Sequence, residues 1–168
     1  MGMVCPNHLP GVMLNLMNRT LLGALAGCVL LLSPNGIAQD RGMWRAASNT
    51  AKSITGDIAF FGEKLSVNFS TFTVAEIRAL TPAELLIAFN PDDPKVGEGH
   101  LYRTSIPGDK KFLHKNTLCG SEDTQWIVTY VSGKTLELAF FSTATMPVFT
   151  PEAFNNSSAL CGTFTYVR

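Results

Sequence analysis

Residues 125–142, QWIVTYVSGKTLELAFFS, show the clearest secondary-structure pattern in this 168-residue chain. In the first half, Trp126, Val128 and Tyr130 share one face of an extended chain, and the second half again has apolar residues at every other position. A period of two residues is typical of a β-strand. Gly133 lies in the turn between the two runs, so the stretch predicts a β-hairpin.

Shorter runs of the same kind lie on both sides of the hairpin. Each is rich in β-branched or aromatic residues and is bounded by Gly, Pro or Asn, which is the pattern of a strand between turns. These predicted strands are residues 54–61, 65–69, 101–106 and 162–168. Residues 72–80 fit either a strand or a helix, because strand-forming side chains occur beside a possible capping box.

One segment predicts a helix. Thr81 is a suitable N-cap, Pro82 suits the first helical position, and Glu84 completes a capping box. The sequence NPDDP at 90–94 must end this helix, which is therefore short. Together these patterns predict an all-β fold, a small antiparallel barrel or sandwich with at most one short helix.

The amino-terminal residues predict a targeting segment. An apolar stretch of 12 residues, 21–32, follows the single charge of Arg19. This stretch is too short for a bilayer core, which needs about 20 residues, but it suits the apolar region of a signal peptide. Small residues follow at 36–38. We therefore expect residues 1–38 to be a signal peptide region, with the start at Met17 and cleavage after Ala38.

A competing interpretation is a lipid anchor. Leu25-Ala26-Gly27-Cys28 fits the lipobox of bacterial lipoproteins, in which Cys28 would be lipidated and become the mature amino terminus. The apolar run that continues after Cys28 is unusual for that class of protein. Only this alternative predicts an association with a membrane.

Residues 39–168 form the predicted working domain. Removing 38 of the 168 residues leaves 130, which suits a single β-rich domain with a hydrophobic core. All 13 acidic residues and 12 of the 13 basic ones lie in this part, so its net charge is about −1. A general binder of nucleic acid or anionic membranes would carry a basic excess, so we expect no nucleic-acid partner.

Two cysteines, Cys119 and Cys161, lie in the predicted domain. An even pair in an exported protein is typical of a disulfide. The pair lacks the C-x-x-C spacing and the nearby His of a redox or zinc site. The two cysteines are 42 positions apart, and in the chain-entropy model closing a loop of that size stabilises the fold by about 4 kcal/mol. We therefore predict a structural disulfide.

Gly42-Met43-Trp44, ahead of the β-rich chain, is similar to the Gly-x-Trp signature of lipocalins and related calycin barrels. A second lipocalin motif is missing, and the one arginine beside the last predicted strand is Arg168. SNTAKSITGDI at 48–58, together with NTLCG at 116–120, also looks like small exported bacterial proteins of unassigned function. These resemblances imply export and a β fold, and they carry no activity over.

The catalytic candidates are two histidines, His100 and His114. Neither lies in an H-x-H or H-x-x-x-H arrangement, so no zinc site is indicated. The sequence also lacks a Gly-x-Ser-x-Gly elbow, although a Ser-His-Asp triad is spatial and needs no fixed spacing. A hydrolase that uses His100 or His114 therefore stays an alternative, and we expect no cofactor and no metal.

The ligand-binding candidates are Trp126, Tyr130, Arg103 and His114. The two aromatic side chains could line a ligand cavity, or they could pack the core of a small barrel. Arg103 and His114, with the lysines near residue 110, could receive an anionic ligand or an acidic partner, or they could form a solvated face.

The leading hypothesis is a non-enzymatic binding module in the periplasm or outside the cell, for a small apolar ligand or a protein partner. The alternative is an inhibitor that blocks an exported enzyme with a loop, either residues 90–99 or residues 108–116. A cavity lined by Trp126 and Tyr130 would favour the ligand. A filled core with a protruding loop would favour inhibition.

Overall fold

The computed structural model describes residues 39–168. The predicted signal peptide, its start at Met17, its cleavage after Ala38 and the alternative lipidation of Cys28 all lie outside the described residues. Within residues 39–168, no helix is long and apolar enough to cross a membrane.

Eight antiparallel strands form a closed barrel in which each strand pairs with the next along the chain, and the last pairs with the first. The first and last strands close the barrel by antiparallel pairing, in which Arg45 lies opposite Val167 and Ala46 lies opposite Tyr166. The strands are β1 (Gly42–Ala46), β2 (Ile58–Phe61), β3 (Lys64–Val67), β4 (Ser70–Ala79), β5 (Glu98–Ile106), β6 (Thr124–Ser132), β7 (Thr135–Phe141) and β8 (Leu160–Val167). The predicted all-β class is confirmed, and of its two architectures the chain adopts the barrel.

The hairpin predicted from residues 125–142 is confirmed as β6 and β7. Ser132 pairs with Thr135, and Gly133 takes a φ of 59° in the turn between them. Residues 72–80, which fitted either a strand or a helix, belong to β4. The strand predicted over 65–69 ends earlier, because β3 stops at Val67 and the next two residues form a turn.

Three short helices connect the strands: α1 (Asn49–Ile54), α2 (Pro82–Phe89) and α3 (Pro151–Asn155). The predicted helix is α2, and its capping box between Thr81 and Glu84 forms as expected. The other two helices have six and five residues, and the sequence pattern did not indicate them. A 3-10 turn, Leu113–Lys115, lies between β5 and β6.

Two layers of apolar side chains stabilise the barrel. Side chains from every strand fill its interior, and the largest fully buried ones are Trp44, Phe60, Phe140, Phe164 and Tyr166. On the outside, α2 and α3 cover β5, β6 and β7 with Leu85 and Phe154. The middle strand β6 is therefore buried on both faces, with Ile127 inside and Val128 outside.

The barrel has two different ends. One end, which we call the Asp40 end, contains the residues before β1, the turn between β2 and β3, and the connection from β4 to α2. Strand β8 also ends there. At the other, called the disulfide end, β3 turns into β4, and α1 contacts the 3-10 turn. The predicted disulfide is confirmed here, since Cys119 ahead of β6 is bonded to Cys161 at the start of β8.

Candidate functional site

The Asp40 end contains a buried carboxylate. Asp40 lies two residues before β1 and its side chain reaches into the barrel, so that the residue is 1% exposed. Its backbone carbonyl accepts a hydrogen bond of 2.7 Å from the indole Nε1 of Trp44. Its Oδ2 accepts two more, from the Tyr102 hydroxyl at 2.6 Å and from the Thr129 hydroxyl at 3.1 Å. These contacts fix the carboxylate at the end of the barrel interior.

The second oxygen of this carboxylate has no protein donor. Oδ1 of Asp40 is buried, and no group within residues 39–168 donates a hydrogen bond to it. Burying a polar atom without a partner costs about 1–3 kcal/mol, and more for a charged group. Nearly all buried polar groups in folded proteins have partners, so an exception needs a reason.

A second buried atom without a partner lies nearby on His100. Its Nδ1 is 2.9 Å from Oε1 of Glu76, and its side chain is 13% exposed. An ionised carboxylate only accepts hydrogen bonds, so Nδ1 carries the proton that faces Glu76. Nε2 is buried and has no hydrogen-bond partner within the described chain. The Asp40 end therefore holds two buried polar atoms without a partner in residues 39–168, of which Asp40 Oδ1 is an acceptor.

A pocket of about 240 Å³ opens at this end of the barrel. Phe60, Val74 and Tyr102 form its apolar part, while Asp40 and Glu76 contribute carboxylates. Glu63 adds a third carboxylate, and Arg41 is the one basic residue of the lining. Three acidic residues against one basic residue give the pocket a formal charge of −2.

Tyr102 stays a hydrogen-bond donor throughout the physiological pH range. Burial raises the pKa of its hydroxyl well above the ordinary value of 10, and the hydrogen bond to Asp40 raises it further. A neutral phenol donates its one proton to Asp40 Oδ2 and therefore has none left for another acceptor. This arrangement leaves Asp40 Oδ1 without a donor among residues 39–168.

The chain terminus closes the barrel beside this pocket. The guanidinium carbon of Arg168 lies 4.4 Å from the centre of the Trp44 ring, within the range of a cation–π contact. Its Nη1 donates to the backbone carbonyl of Arg41 at 3.3 Å. Arg168 therefore joins the last strand to the segment that carries Asp40.

A scan of protein-family models, a search of curated proteins and a search of solved structures each found no match.

The disulfide end carries a different unusual feature, the turn between β3 and β4. Asn68 and Phe69 alone connect the two strands, with φ angles of 43° and 63°. Two successive residues with positive φ are the pattern of a type I′ turn, which favours Asn followed by Gly. Here Phe69 occupies the position that suits glycine, and its side chain is fully exposed. We call these two residues the Phe69 tip.

An apolar groove lies beside the Phe69 tip on the outer surface of the barrel. Its volume is about 390 Å³, and it is lined by residues from β1, β2, β3, the end of α1 and the 3-10 turn. Met43 and Leu113 contribute to this groove together with Phe69. The Met43 side chain is also largely exposed. The tip and the groove together form an exposed apolar surface, which we call the tip surface.

The predicted ligand-binding residues are placed on the outside of the barrel. Trp126 lies under the guanidinium of Arg103, whose central carbon is 4.6 Å from the ring centre. Tyr130 stacks on Phe89 of α2 at 6.0 Å. Arg103 and Trp126 are thus brought together, whereas Tyr130 lies further along β6 and His114 lies in the 3-10 turn.

The two predicted catalytic histidines lie at opposite ends of the barrel. His114 is exposed in the 3-10 turn, with a φ of 53°. His100 has a carboxylate partner in Glu76, but its free Nε2 has no hydroxyl or thiol within hydrogen-bonding distance in residues 39–168. The arrangement supplies a His–carboxylate pair without a nucleophile.

The two loops considered for inhibition are held against the barrel. In residues 90–99, the hydroxyl of Tyr130 donates to the carbonyl of Asp93 at 3.3 Å. In residues 108–116, Phe112 is buried, and the side-chain amide Nδ2 of Asn116 donates to the backbone carbonyl of Ser53 at 3.0 Å. The protruding element is instead the Phe69 tip.

Sequence reasoning missed three residues of these sites: Asp40, Glu76 and Phe69. Asp40 and Glu76 are brought to the same pocket by contacts between residues distant in sequence, such as the hydrogen bond between Asp40 and Tyr102, which are 62 positions apart. No local pattern marks them. Phe69 had a detectable signal, because Asn68 begins a two-residue turn and glycine would be the usual next residue.

Proposed function

We propose that the protein is an exported, non-enzymatic binding module that holds a protein partner through the tip surface. The observation that carries this proposal is the exposed Phe69 in a left-handed backbone conformation. A bulky residue with positive φ is an outlier that costs about 1–2 kcal/mol. Such strain is found chiefly at functional positions, where a side chain has to be held in place.

The filled interior favours a protein partner over a small apolar ligand. Trp126 and Tyr130 would have to line a cavity for the apolar ligand, but they pack against Arg103 and Phe89 on the outside. Among the large apolar side chains of the described residues, Phe69 and Met43 have the highest exposed fractions, and both line the groove of the tip surface. Aromatic residues in exposed apolar patches are typical anchors of protein interfaces.

The shape of the Phe69 tip supports inhibition as a second candidate. A two-residue turn that ends a hairpin is convex, so its partner has to offer a concave apolar site. The cleft of an enzyme is one such site. The paired strands on both sides of the turn hold Phe69 in one orientation, which lowers the entropy lost on binding.

Export is supported by the disulfide between Cys119 and Cys161, since such bonds persist in oxidising compartments. The eight-stranded closed barrel is compatible with a binding module.

The proposal is tested by photo-crosslinking from the tip. The protein is produced with its native leader in a bacterial host, with a photoreactive phenylalanine analogue at position 69, and adducts are identified by mass spectrometry. The control carries the analogue at Val148, which is also well exposed but lies outside the tip surface. We expect a defined adduct from position 69 that is absent from position 148.

A binding measurement with the purified partner then decides the proposal. We expect Phe69→Ala to weaken the affinity at least tenfold, as removal of an interface anchor does, and Val148→Ala to leave it unchanged. Equal adducts from both positions, or an unchanged affinity for Phe69→Ala, would contradict the proposal. If the partner is an enzyme that loses activity when bound, the inhibitor form is correct.

A further inference from the structure

We propose that the pocket at the Asp40 end binds a small organic cation through a primary ammonium group. This site is independent of the proposed protein-binding surface, because the pocket and the Phe69 tip lie at opposite ends of the barrel. A failure of one proposal therefore leaves the other intact.

The hydrogen-bonding needs of the pocket indicate a donor-rich ligand. Asp40 lines the pocket, and its buried Oδ1 is an acceptor without a donor in residues 39–168. The hydroxyls of Tyr102 and Thr129 already donate to the other oxygen of Asp40. The carboxylates of Glu63 and Glu76 add further acceptors to the lining. A group with several N–H donors is therefore the complement, and an ammonium has three.

The charge of the pocket indicates that the donor group is positive. Asp40, Glu63 and Glu76 line it, opposed by Arg41 alone. Asp40 is 1% exposed, so its charge is poorly screened by water and attracts a cation more strongly than a surface carboxylate does. A cation beside Oδ1 would both neutralise this carboxylate and supply its missing hydrogen bond.

The geometry favours an ammonium over a guanidinium. A guanidinium binds a carboxylate through both oxygens in a fork. At Asp40 the first oxygen is occupied by two hydroxyl donors, and only Oδ1 remains. A compact ammonium needs a single oxygen, and it rotates to reach a second acceptor.

The size of the pocket limits the rest of the ligand. Its volume of about 240 Å³ is below the range of about 300–1,000 Å³ that is typical of drug-sized ligands. Phe60 and Val74 provide an apolar wall that suits a short alkyl chain. The predicted ligand is therefore a short alkylammonium, with room near Glu63 for a second polar group.

The purified protein is titrated with propylammonium, and binding is measured by calorimetry and by NMR chemical shifts. The buffer is phosphate, because an amine buffer would compete for the pocket. We expect saturable binding of one ligand with a Kd below about 1 mM, which corresponds to about 4 kcal/mol. Propyltrimethylammonium has the same charge but no N–H donor, and we expect it to bind at least tenfold more weakly.

Two substitutions assign the binding to the pocket. We expect Asp40→Asn to weaken the affinity for propylammonium at least tenfold, because it removes the charge and the free carboxylate oxygen. Glu76→Gln is the second variant, since Glu76 is 43% exposed and tolerates a change more readily than buried Asp40. Glu137→Gln removes a half-buried carboxylate on the outer face of β7 and serves as the matched control with unchanged affinity.

Three results would overturn this proposal. One is a titration without saturation up to about 10 mM, which would show that the pocket does not bind an ammonium group. Another is equal binding of the two cations, which would show attraction by charge without recognition of N–H donors. The last is unchanged affinity in both Asp40→Asn and Glu76→Gln, which would place the ligand elsewhere.

Discussion

The two ends of the barrel hold their unusual residues in opposite ways. At the Asp40 end a carboxylate is buried, and one of its oxygens lacks a protein donor. At the disulfide end Phe69 is fully exposed in a backbone conformation that suits glycine. One end conceals a charged group that water would solvate, and the other exposes an apolar group that water disfavours.

Each end tolerates its unfavourable residue through a different kind of interaction. A covalent bond between Cys119 and Cys161 and the packing of α1 against the 3-10 turn stabilise the disulfide end. The Asp40 end depends on hydrogen bonds and charged contacts, such as those made by Trp44 and Arg168. We therefore expect the first end to respond to reductant and the second to pH and ligands.

The largest expected effect is the loss of the disulfide. Replacing both Cys119 and Cys161 with Ser should lower the free energy of unfolding by about 4 kcal/mol, because the unfolded chain regains the freedom of a loop of 42 residues. The melting temperature should fall by about 10–15 °C. Thermal unfolding of the reduced native protein is the control and should give a similar loss. A melting curve that does not move would refute a stabilising role for the bond.

Two substitutions of Phe69 distinguish the effect of backbone strain on stability from the effect of side-chain contacts. Phe69→Gly should raise the free energy of unfolding by about 1 kcal/mol, because glycine adopts positive φ without steric cost. Phe69→Ala keeps most of the backbone strain and should change stability little. Denaturant titrations of the three proteins measure this order. If glycine and alanine give the same stability, the strain is absent and the main argument for a functional tip is lost.

The sequence predicted those parts of the fold that local patterns control. The hairpin of β6 and β7 was predicted because its alternation and its glycine turn are local. Helix α2 was predicted because Thr81 and Glu84 form a capping box without help from distant residues. The short helices α1 and α3 were missed, since each has too few residues to show a helical period.

The parts set by long-range pairing could not be predicted. Apolar residues occupy both faces of β6, so alternation alone does not reveal that Trp126 points outward and Ile127 inward. The residues 72–80 fitted two structures until pairing with β3 and β5 made them a strand. Asp40 and Glu76 line one pocket only because the strands between them are paired in order, and no spacing in the sequence records this.

A smaller effect is expected at low pH from the Asp40 end. The guanidinium of Arg78 donates to Glu84 and holds the pKa of that carboxyl at about 2, against an ordinary value of 4.5. A lowered pKa stabilises the fold above pH 4.5, and this contribution is lost as pH falls towards 2. Glu84→Gln should therefore remove about 0.5–1 kcal/mol at pH 7 and nothing near pH 2.

Urea unfolding at several pH values measures this dependence. The control is Glu137→Gln, because burial raises the pKa of Glu137 and its carboxylate therefore opposes folding at neutral pH. The two variants should change stability in opposite directions at pH 7. A loss for Glu84→Gln that is the same at both pH extremes would show that the side chain acts through packing and not through its charge.

The smallest expected effect concerns Asp40 itself, and it distinguishes a binding residue from a structural one. In Asp40→Asn the amide oxygen still accepts from the hydroxyls of Tyr102 and Thr129. These hydrogen bonds weaken without the charge, but the cost of burying the charge also disappears. The free energy of unfolding should change by less than about 0.5 kcal/mol in the absence of ligand. A loss above about 2 kcal/mol would mean that the charged carboxylate is needed for the fold. A small change, together with lost affinity for propylammonium, would mean that its charge serves binding, which would extend the contrast between the two ends from structure to function.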